Sequence, residues 1–334
     1  MNDSMDNSMN AISNGSSRSE SIDFTLTQEI KTLALRQGLD LVGVAPVSRF
    51  AGVPGGFRPQ DYLPGAKTVV SIACAIADEF CDTWGTYEDE GRSPLPYMYY
   101  GLGAAYWELA RMANRIARRV EYRGYRSVIF PPHWSVSHYR SLTAEPDGWP
   151  LVRVNNGVKQ DFPHLYAAVA AGLGEPGWSG LVLTPDFGAR VRFNSIITDA
   201  PLAVDPLVSM GICKPERCGL ACAAACPADA LSKDFNDGEE FTVAGRAFHV
   251  GRLDAVRCHY GLDGLIRGSG SRTHAVIPDG PGKTADYRQA LAAQRREDRL
   301  VNGSQRGLLS GNFCERCLLA CPAHTWRGEA KEGC

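Results

Sequence analysis

No apolar run in this 334-residue sequence comes near the roughly 20 residues that a membrane-spanning helix needs. The longest, Thr68 to Ala77 and Leu165 to Gly174, have about half that length, so no membrane partner is expected. Net charge is nearly absent: 35 Lys and Arg meet 37 Asp and Glu, leaving −2. With no basic stripe to attract phosphate backbones, no nucleic-acid partner is expected. A leader peptide is also missing from the pattern. The first 22 residues hold seven Ser and four Asn with Asp3, Asp6 and Glu20, but no apolar core and no adjacent arginines. They cannot repay the entropy of ordering, so 1–22 is expected to be a disordered tail on a cytoplasmic chain. The remainder, with 44% hydrophobic and 22% charged residues overall, carries enough apolar mass for a sizeable core.

Cysteine is abundant and clustered. Of 11 cysteines, eight fall between Cys213 and Cys321, and only Cys74, Cys81 and Cys334 lie outside. In a reducing compartment such a set points to metal or cluster ligation rather than disulfides. Cys74, inside an apolar run, reads as a small core residue. The first motif is Cys213-x4-Cys218-x3-Cys222-x3-Cys226-Pro227 and the second is Cys314-x2-Cys317-x3-Cys321-Pro322. Both end in C-x3-C-P, the close of a bacterial ferredoxin run, whose fourth cysteine ligates the neighbouring cluster. Four cysteines from the first motif, three from the second and the isolated Cys258 supply the eight ligands that two 4Fe–4S clusters need. The ferredoxin rule assigns Cys213, Cys218, Cys222 and Cys321 to one cluster, and Cys226, Cys258, Cys314 and Cys317 to the other. A structural zinc site also uses C-x2-C pairs, but has no need of proline after the last ligand. The x4 spacing after Cys213 is the main departure from the ferredoxin pattern.

Helix and strand signals alternate from Phe24 to about Pro206. A helix opens at Thr27-Gln28-Glu29 and runs to about Arg36, followed by buried strands at 40–46 and 69–76. The strongest helix spans about 98–121, with Leu102, Tyr106, Leu109, Ala113, Ile116 and Val120 on one stripe. A strand at 125–130, a helix at 162–171 and a strand at 181–184 complete an α/β (α+β) domain at 23–206 with a mixed sheet. Residues 207–334 form a second, cysteine-rich unit of loops and short helices, with one longer helix at about 284–300.

The cysteine order, the lone Arg257-Cys258, the Ala171-Gly-Leu-Gly-Glu-Pro-Gly177 string and Ser195-Ile-Ile-Thr-Asp-Ala-Pro-Leu202 together resemble epoxyqueuosine reductase and, more distantly, the reductive dehalogenases. The resemblance covers roughly residues 25 to 326. It implies a nitroreductase-like domain holding a base-off cobalamin, followed by a ferredoxin-like domain with two clusters that feed it electrons. It also implies that Gly172, Gly174 and Gly177 let backbone approach the corrin; the residues alone read equally well as a helix C-cap and turn. The same string matches a dinucleotide fingerprint, but it follows a helix and precedes a strand, the reverse of what that fingerprint requires.

In the family an acid three residues before a proline is the proton donor. Here that place is Gln160, so Asp161 is the candidate, with a helix N-cap as its alternative. Tyr106, Tyr139, His138 and His164 are further candidates, since reduction at carbon is completed by a nearby acid. No D-x-H-x-x-G cobalamin motif is present, and the chain lacks C-terminal helical repeats of the kind that hold tRNA. The expectation is an oxidoreductase that dehalogenates or deoxygenates a small organic substrate, charged by a donor such as ferredoxin or flavodoxin. The alternatives are a cobalamin-free electron-transfer protein and a reductase in which FMN replaces the corrin.

Overall fold

The computed structural model describes residues 21–82, 97–132, 162–208, 211–262, 265–266, 275–302 and 314–326. The first helix, α1 (Phe24–Arg36), starts three residues earlier than its apolar stripe suggests. The Asp23 side chain accepts from the Leu26 amide at 2.8 Å and so caps the helix. Leu26, Ile30 and Ala34 then form its buried face.

Strands β1 (Leu41–Pro46) and β2 (Thr68–Ala75) lie where the apolar runs place them. The long helix begins differently from the expected regular one: Tyr97–Ala104 is π-wound and α2 proper is Ala105–Tyr122. Gly101 explains the change. A side chain there would lie 3.0 Å from Ile76 and Tyr97 atoms, and its widened turn offers a carbonyl that accepts from Arg192 Nε at 3.2 Å.

Strand β3 (Ser127–Ile129), helix α3 (His164–Ala170), the short strands β4 (Glu175–Pro176) and β5 (Val182–Leu183), and strand β6 (Val191–Thr198) follow. Apolar periodicity does not reveal β6, because Arg192, Asn194 and Ser195 interrupt it. Yet all eight of its residues are buried, and it is an inner strand of the sheet, whose order is β1-β2-β6-β3. The mixed sheet expected from alternating helix and strand signals is antiparallel in all three pairings among the described residues.

The register Ser71↔Ser195 and Ile72↔Asn194 sends alternate residues of β2 and β6 to opposite faces. On one face α1 and α2 cover Val44, Val70, Ile72 and Ile196. On the other, α3 covers Ala45, Val69, Ala73 and Ile197. The hairpin of β7 (Gly238–Val243) and β8 (Arg246–Gly251) joins this second core through Val243, Phe248 and Val250, although it lies among the cysteine motifs in sequence.

The cysteine-rich part contains α4 (Pro215–Cys218), α5 (Ala221–Ala224), α6 (Ala255–Leu262), α7 (Thr284–Asn302) and α8 (Arg316–Leu319). It shares core with the sheet domain: Leu183 and Ala189 pack with Ile212, Leu318 and Ala323, and Trp178 packs with Leu220, Cys222 and Ala223. Among the described residues no helix is long and apolar enough to cross a membrane.

Candidate functional site

The two C-x3-C-P segments have the same backbone. In the first, Leu220 adopts a left-handed conformation (φ 56°), α5 makes one turn and Cys226-Pro227 follows. In the second, Glu315 is left-handed (φ 42°), α8 makes one turn and Cys321-Pro322 follows. A left-handed conformation strains a residue with a side chain and persists only where the surroundings impose it. Here it turns the chain into a one-turn helix that carries the next cysteine, with the last cysteine just beyond it. The extra residue of the first motif is absorbed by Gly219, which is itself left-handed (φ 58°). Irregular spacing therefore leaves the ligand geometry of the two motifs alike.

The thiols fall into two sets of four. Cys213 interacts electrostatically with Cys321, Cys222 and Cys218, and Cys222 and Cys321 each interact with Cys218. Cys317 interacts with Cys258, Cys314 and Cys226, and Cys314 with Cys226. One cross-interaction, from Cys317 to Cys222, joins the sets. Burial, with mutual repulsion behind it, pushes the Cys213, Cys222 and Cys314 thiols up to about 12. Such thiols are not free nucleophiles; they become thiolates when a metal displaces the proton. Backbone amides point at the sulfurs, Trp178 N–H at Cys213 Sγ (3.3 Å) and Ala230 N–H at Cys226 Sγ (3.4 Å), as iron–sulfur sites require. Among the described residues no three His, Cys, Asp or Glu side chains converge to hold a single metal ion. The donor set, two groups of four sulfurs with amide support, fits two 4Fe–4S clusters.

A cleft adjoins the second set. Its lining includes Cys226, Cys258, Cys314 and Cys317 together with Tyr106, His164, Arg192 and Phe193, and with Leu165, Leu181 and Val182. Arg192 from β6 forms a fork with Glu315, which lies between Cys314 and Cys317.

 Arg192 itself is 7% exposed and its neighbour Arg190 is 3% exposed. Arg192 Nη1 donates to Glu315 Oε1 at 2.7 Å, and Nη2 donates to Glu315 Oε2 and to Tyr97 Oη, the latter at 2.9 Å. The Tyr97 hydroxyl in turn donates to Glu315 Oε2. The Arg192 guanidinium lies 5.5 Å from the Tyr106 ring centre.

The candidate proton donors separate. Asp161 and Tyr139, like His138, lie outside the described residues. Tyr106 lines the cleft; burial raises its pKa, and the Arg192 charge and hydrogen bond oppose that rise. His164 also lines the cleft but is fully engaged: Nε2 meets the Pro131 carbonyl at 3.0 Å and Nδ1 meets Ser195 Oγ at 3.0 Å. A carbonyl only accepts, so Nε2 carries a proton, while the serine hydroxyl can serve Nδ1 as donor or acceptor.

The three glycines meet protein on their side-chain side. A Cβ at Gly172 (φ 75°) would lie 1.9 Å from the Pro206 carbonyl oxygen, one at Gly174 would lie 2.2 Å from the Leu183 oxygen, and one at Gly177 would lie 2.9 Å from the Leu183 side chain. Close approach of backbone thus requires glycine at 172 and 174, while 177 faces only a side chain, and Gly172 ends α3 as a left-handed cap. None of the three is among the residues lining the cleft.

Sequence reasoning passes over Arg192, Glu315, Tyr97, Glu175 and Trp178. Two signals mark Arg192 and Glu315: a charge inside an otherwise strand-like run, and an acid placed between two cysteines of one motif.

No family model matches the chain. Over 96 residues it is 45% identical to the tetrachloroethene reductive dehalogenase of Dehalobacter restrictus, a match covering 27% of this chain and 17% of that protein. A 35% match over 94 residues reaches the tetrachloroethene reductive dehalogenase of Sulfurospirillum multivorans, again 17% of its length. Among solved structures, the catabolic reductive dehalogenase NpRdhA aligns at TM-score 0.51 and 19% identity, covering 90% of this chain and 40% of that one. An epoxyqueuosine reductase bound to a tRNA stem loop aligns at TM-score 0.47 and 16% identity, covering 91% and 66%. The chain has the fold seen in a reductive dehalogenase, and over 27% of its length it is similar in sequence to tetrachloroethene reductive dehalogenases.

Proposed function

We propose that the chain is an iron–sulfur-dependent reductase that removes a halide or oxygen substituent from a small organic molecule, with cobalamin at the reacting centre. The observation that carries this reading is the second thiol set, which lines a cleft together with Tyr106, His164 and Arg192. For a halide the overall change is R–X + 2 e⁻ + H⁺ → R–H + X⁻. Two clusters, each passing one electron at potentials that in such centres extend down to about −700 mV, match the electron count. When bound, the corrin supplies a strongly reducing cobalt centre that neither the thiols nor the side chains of the cleft provide.

The residues have separate tasks. Cys213, Cys218, Cys222 and Cys321 hold the cluster away from the cleft, and Cys226, Cys258, Cys314 and Cys317 hold the one beside it. Tyr106 keeps its proton on Oη because burial disfavours the phenolate, while Arg192 limits that cost as the proton leaves. His164, tied to Ser195 and Pro131, shapes the cleft lining and excludes water. Gly172, Gly174 and Gly177 would reach a corrin only from the face of their loop opposite to Pro206 and Leu183. Asp161 and Tyr139 stand as further donors. The electron donor in this reading is a small soluble carrier such as ferredoxin or flavodoxin in a reducing cytoplasm, and the substrate is not a nucleic acid.

Anaerobic incubation of the cobalamin-loaded protein with chlorinated alkenes, halogenated phenols and epoxides, under a low-potential reductant, tests the reading. Halide release or deoxygenation that requires both clusters and cobalamin is expected. Equal turnover by protein loaded with FMN and no cobalamin would contradict the corrin assignment.

A further inference from the structure

Cys213 is the ligand that local structure does least to place. Cys218 ends α4 and Cys222 lies within α5, whereas Cys213 precedes α4 in an irregular segment at the non-standard x4 spacing. Its position is set instead from 35 to 38 residues upstream.

Glu175, 3% exposed, turns its carboxylate onto three successive amides. Oε1 accepts from Ile212 N–H at 2.5 Å and Cys213 N–H at 2.9 Å, and Oε2 accepts from Gly211 N–H at 2.9 Å. Gly211 (φ 105°) supplies the left-handed turn that aims consecutive amides at one anion. Three residues beyond Glu175, the Trp178 amide donates to Cys213 Sγ at 3.3 Å. The direction of that amide is fixed by the indole, which is 2% exposed and donates from Nε1 to the Ser232 carbonyl at 2.8 Å. The ring stacks on Phe235 with centroids 5.3 Å apart. It also fills the space at Gly251, where a Cβ would lie 2.4 Å from Nε1.

We propose that Glu175 and Trp178 are positioning residues for the iron–sulfur cluster that Cys213 ligates: the carboxylate holds the Cys213 segment, and the tryptophan amide is aimed at its sulfur. The inference rests on the cluster reading above. It also gives the glycine string an additional task, since the string carries the clamp that joins the sheet domain to the first cysteine motif.

The test uses the full chain purified anaerobically and reconstituted with iron and sulfide. C213S identifies which electron paramagnetic resonance signal belongs to this cluster. E175Q keeps the size of the side chain but replaces an acceptor oxygen with an amino group that faces amide donors. It is expected to lose about half the iron, from about eight to about four per chain, or to shift the potential of the cluster that C213S marks, with the other cluster unchanged. E175D, which keeps the carboxylate, is expected to restore part of the lost signal. W178F keeps the stacked ring without the Nε1 bond and is expected to alter the same signal; it serves as the second variant should E175Q not fold. Full iron with unchanged spectra and potentials of both clusters, in E175Q or, where that variant does not fold, in W178F, would overturn the proposal. A wild-type chain that takes up no iron would instead overturn the cluster reading itself, so the two failures are distinguishable.

Discussion

Arg192 on β6 and Glu315 between Cys314 and Cys317 form a two-pronged buried ion pair, with Nη1 to Oε1 at 2.7 Å and Nη2 to Oε2 as its second prong. The pair ties an inner strand of the sheet to the second cysteine motif, and both residues line the cleft. Nε donates to Gly101 and Nη2 also donates to Tyr97, so each guanidinium nitrogen has an acceptor. Removing one partner of such a pair leaves the other charge buried and unmatched, which costs about 3–5 kcal/mol. R192L is therefore expected to lower the unfolding free energy by about that amount and to disturb the second cluster. R192K, which keeps the charge but not the fork, should fall between it and wild type. Denaturant unfolding measures both, and a loss below about 1 kcal/mol in R192L would contradict a buried, matched pair.

The two thiol sets make separable demands. C317S is expected to damage the cluster beside the cleft and to abolish turnover. C222S should damage the other cluster, leaving the cleft-side one able to be reduced chemically in a single step. Iron analysis with electron paramagnetic resonance on each variant distinguishes them. Loss of the same signal in both variants would contradict the partition.

Tyr106 gives a pH signature. Its active form as an acid is the protonated one, and burial moves its pKa above the ordinary 10.0, so its contribution persists as pH rises to that value and is lost only higher. Y106F is expected to lower turnover by about 10²- to 10⁴-fold, the usual worth of a positioned acid. An alkaline limb near neutral pH that disappears in Y106F would contradict the direction of the shift, and an unchanged rate would remove Tyr106 from the reaction.

Gly172 tests the packing of the glycine string. Alanine there would be strained by a φ of 75° and would place its Cβ 1.9 Å from the Pro206 oxygen, within the backbone. G172A is expected to destabilise the chain by about 1–3 kcal/mol or more through backbone strain alone. Thermal unfolding of the protein without cofactors isolates this effect from any loss of cofactor contact. An unchanged melting temperature would contradict the close approach.

What the sequence discloses follows from how local each signal is. The two cysteine motifs are legible because C-x3-C-P spacing is a property of short segments, and the one-turn helices α5 and α8 lie within them. Strands β1 and β2 are legible because Leu41–Pro46 and Thr68–Ala75 are almost wholly apolar. Strand β6 is hidden because its polar residues are satisfied by distant partners: Arg192 by Glu315, 123 residues away, and Ser195 by His164, 31 residues away. The β7–β8 hairpin is hidden because it combines polar, exposed positions with only a few buried ones, Val243, Phe248 and Val250 among them. For the same reason Glu175 reads as one letter of a glycine string; its role depends on amides at 211 to 213 that only the fold brings to it.

The central claim is that the two thiol sets hold two 4Fe–4S clusters, one of them beside a cleft that takes a corrin. Iron, sulfide, zinc and cobalt quantified in one anaerobic sample from cobalamin-supplemented cells test it most directly, with an optical spectrum of that sample. About eight iron, eight sulfide and one cobalt per chain are expected. Zinc in place of iron would contradict the cluster assignment, and eight iron without cobalt or corrin bands, after reconstitution with cobalamin, would contradict the corrin.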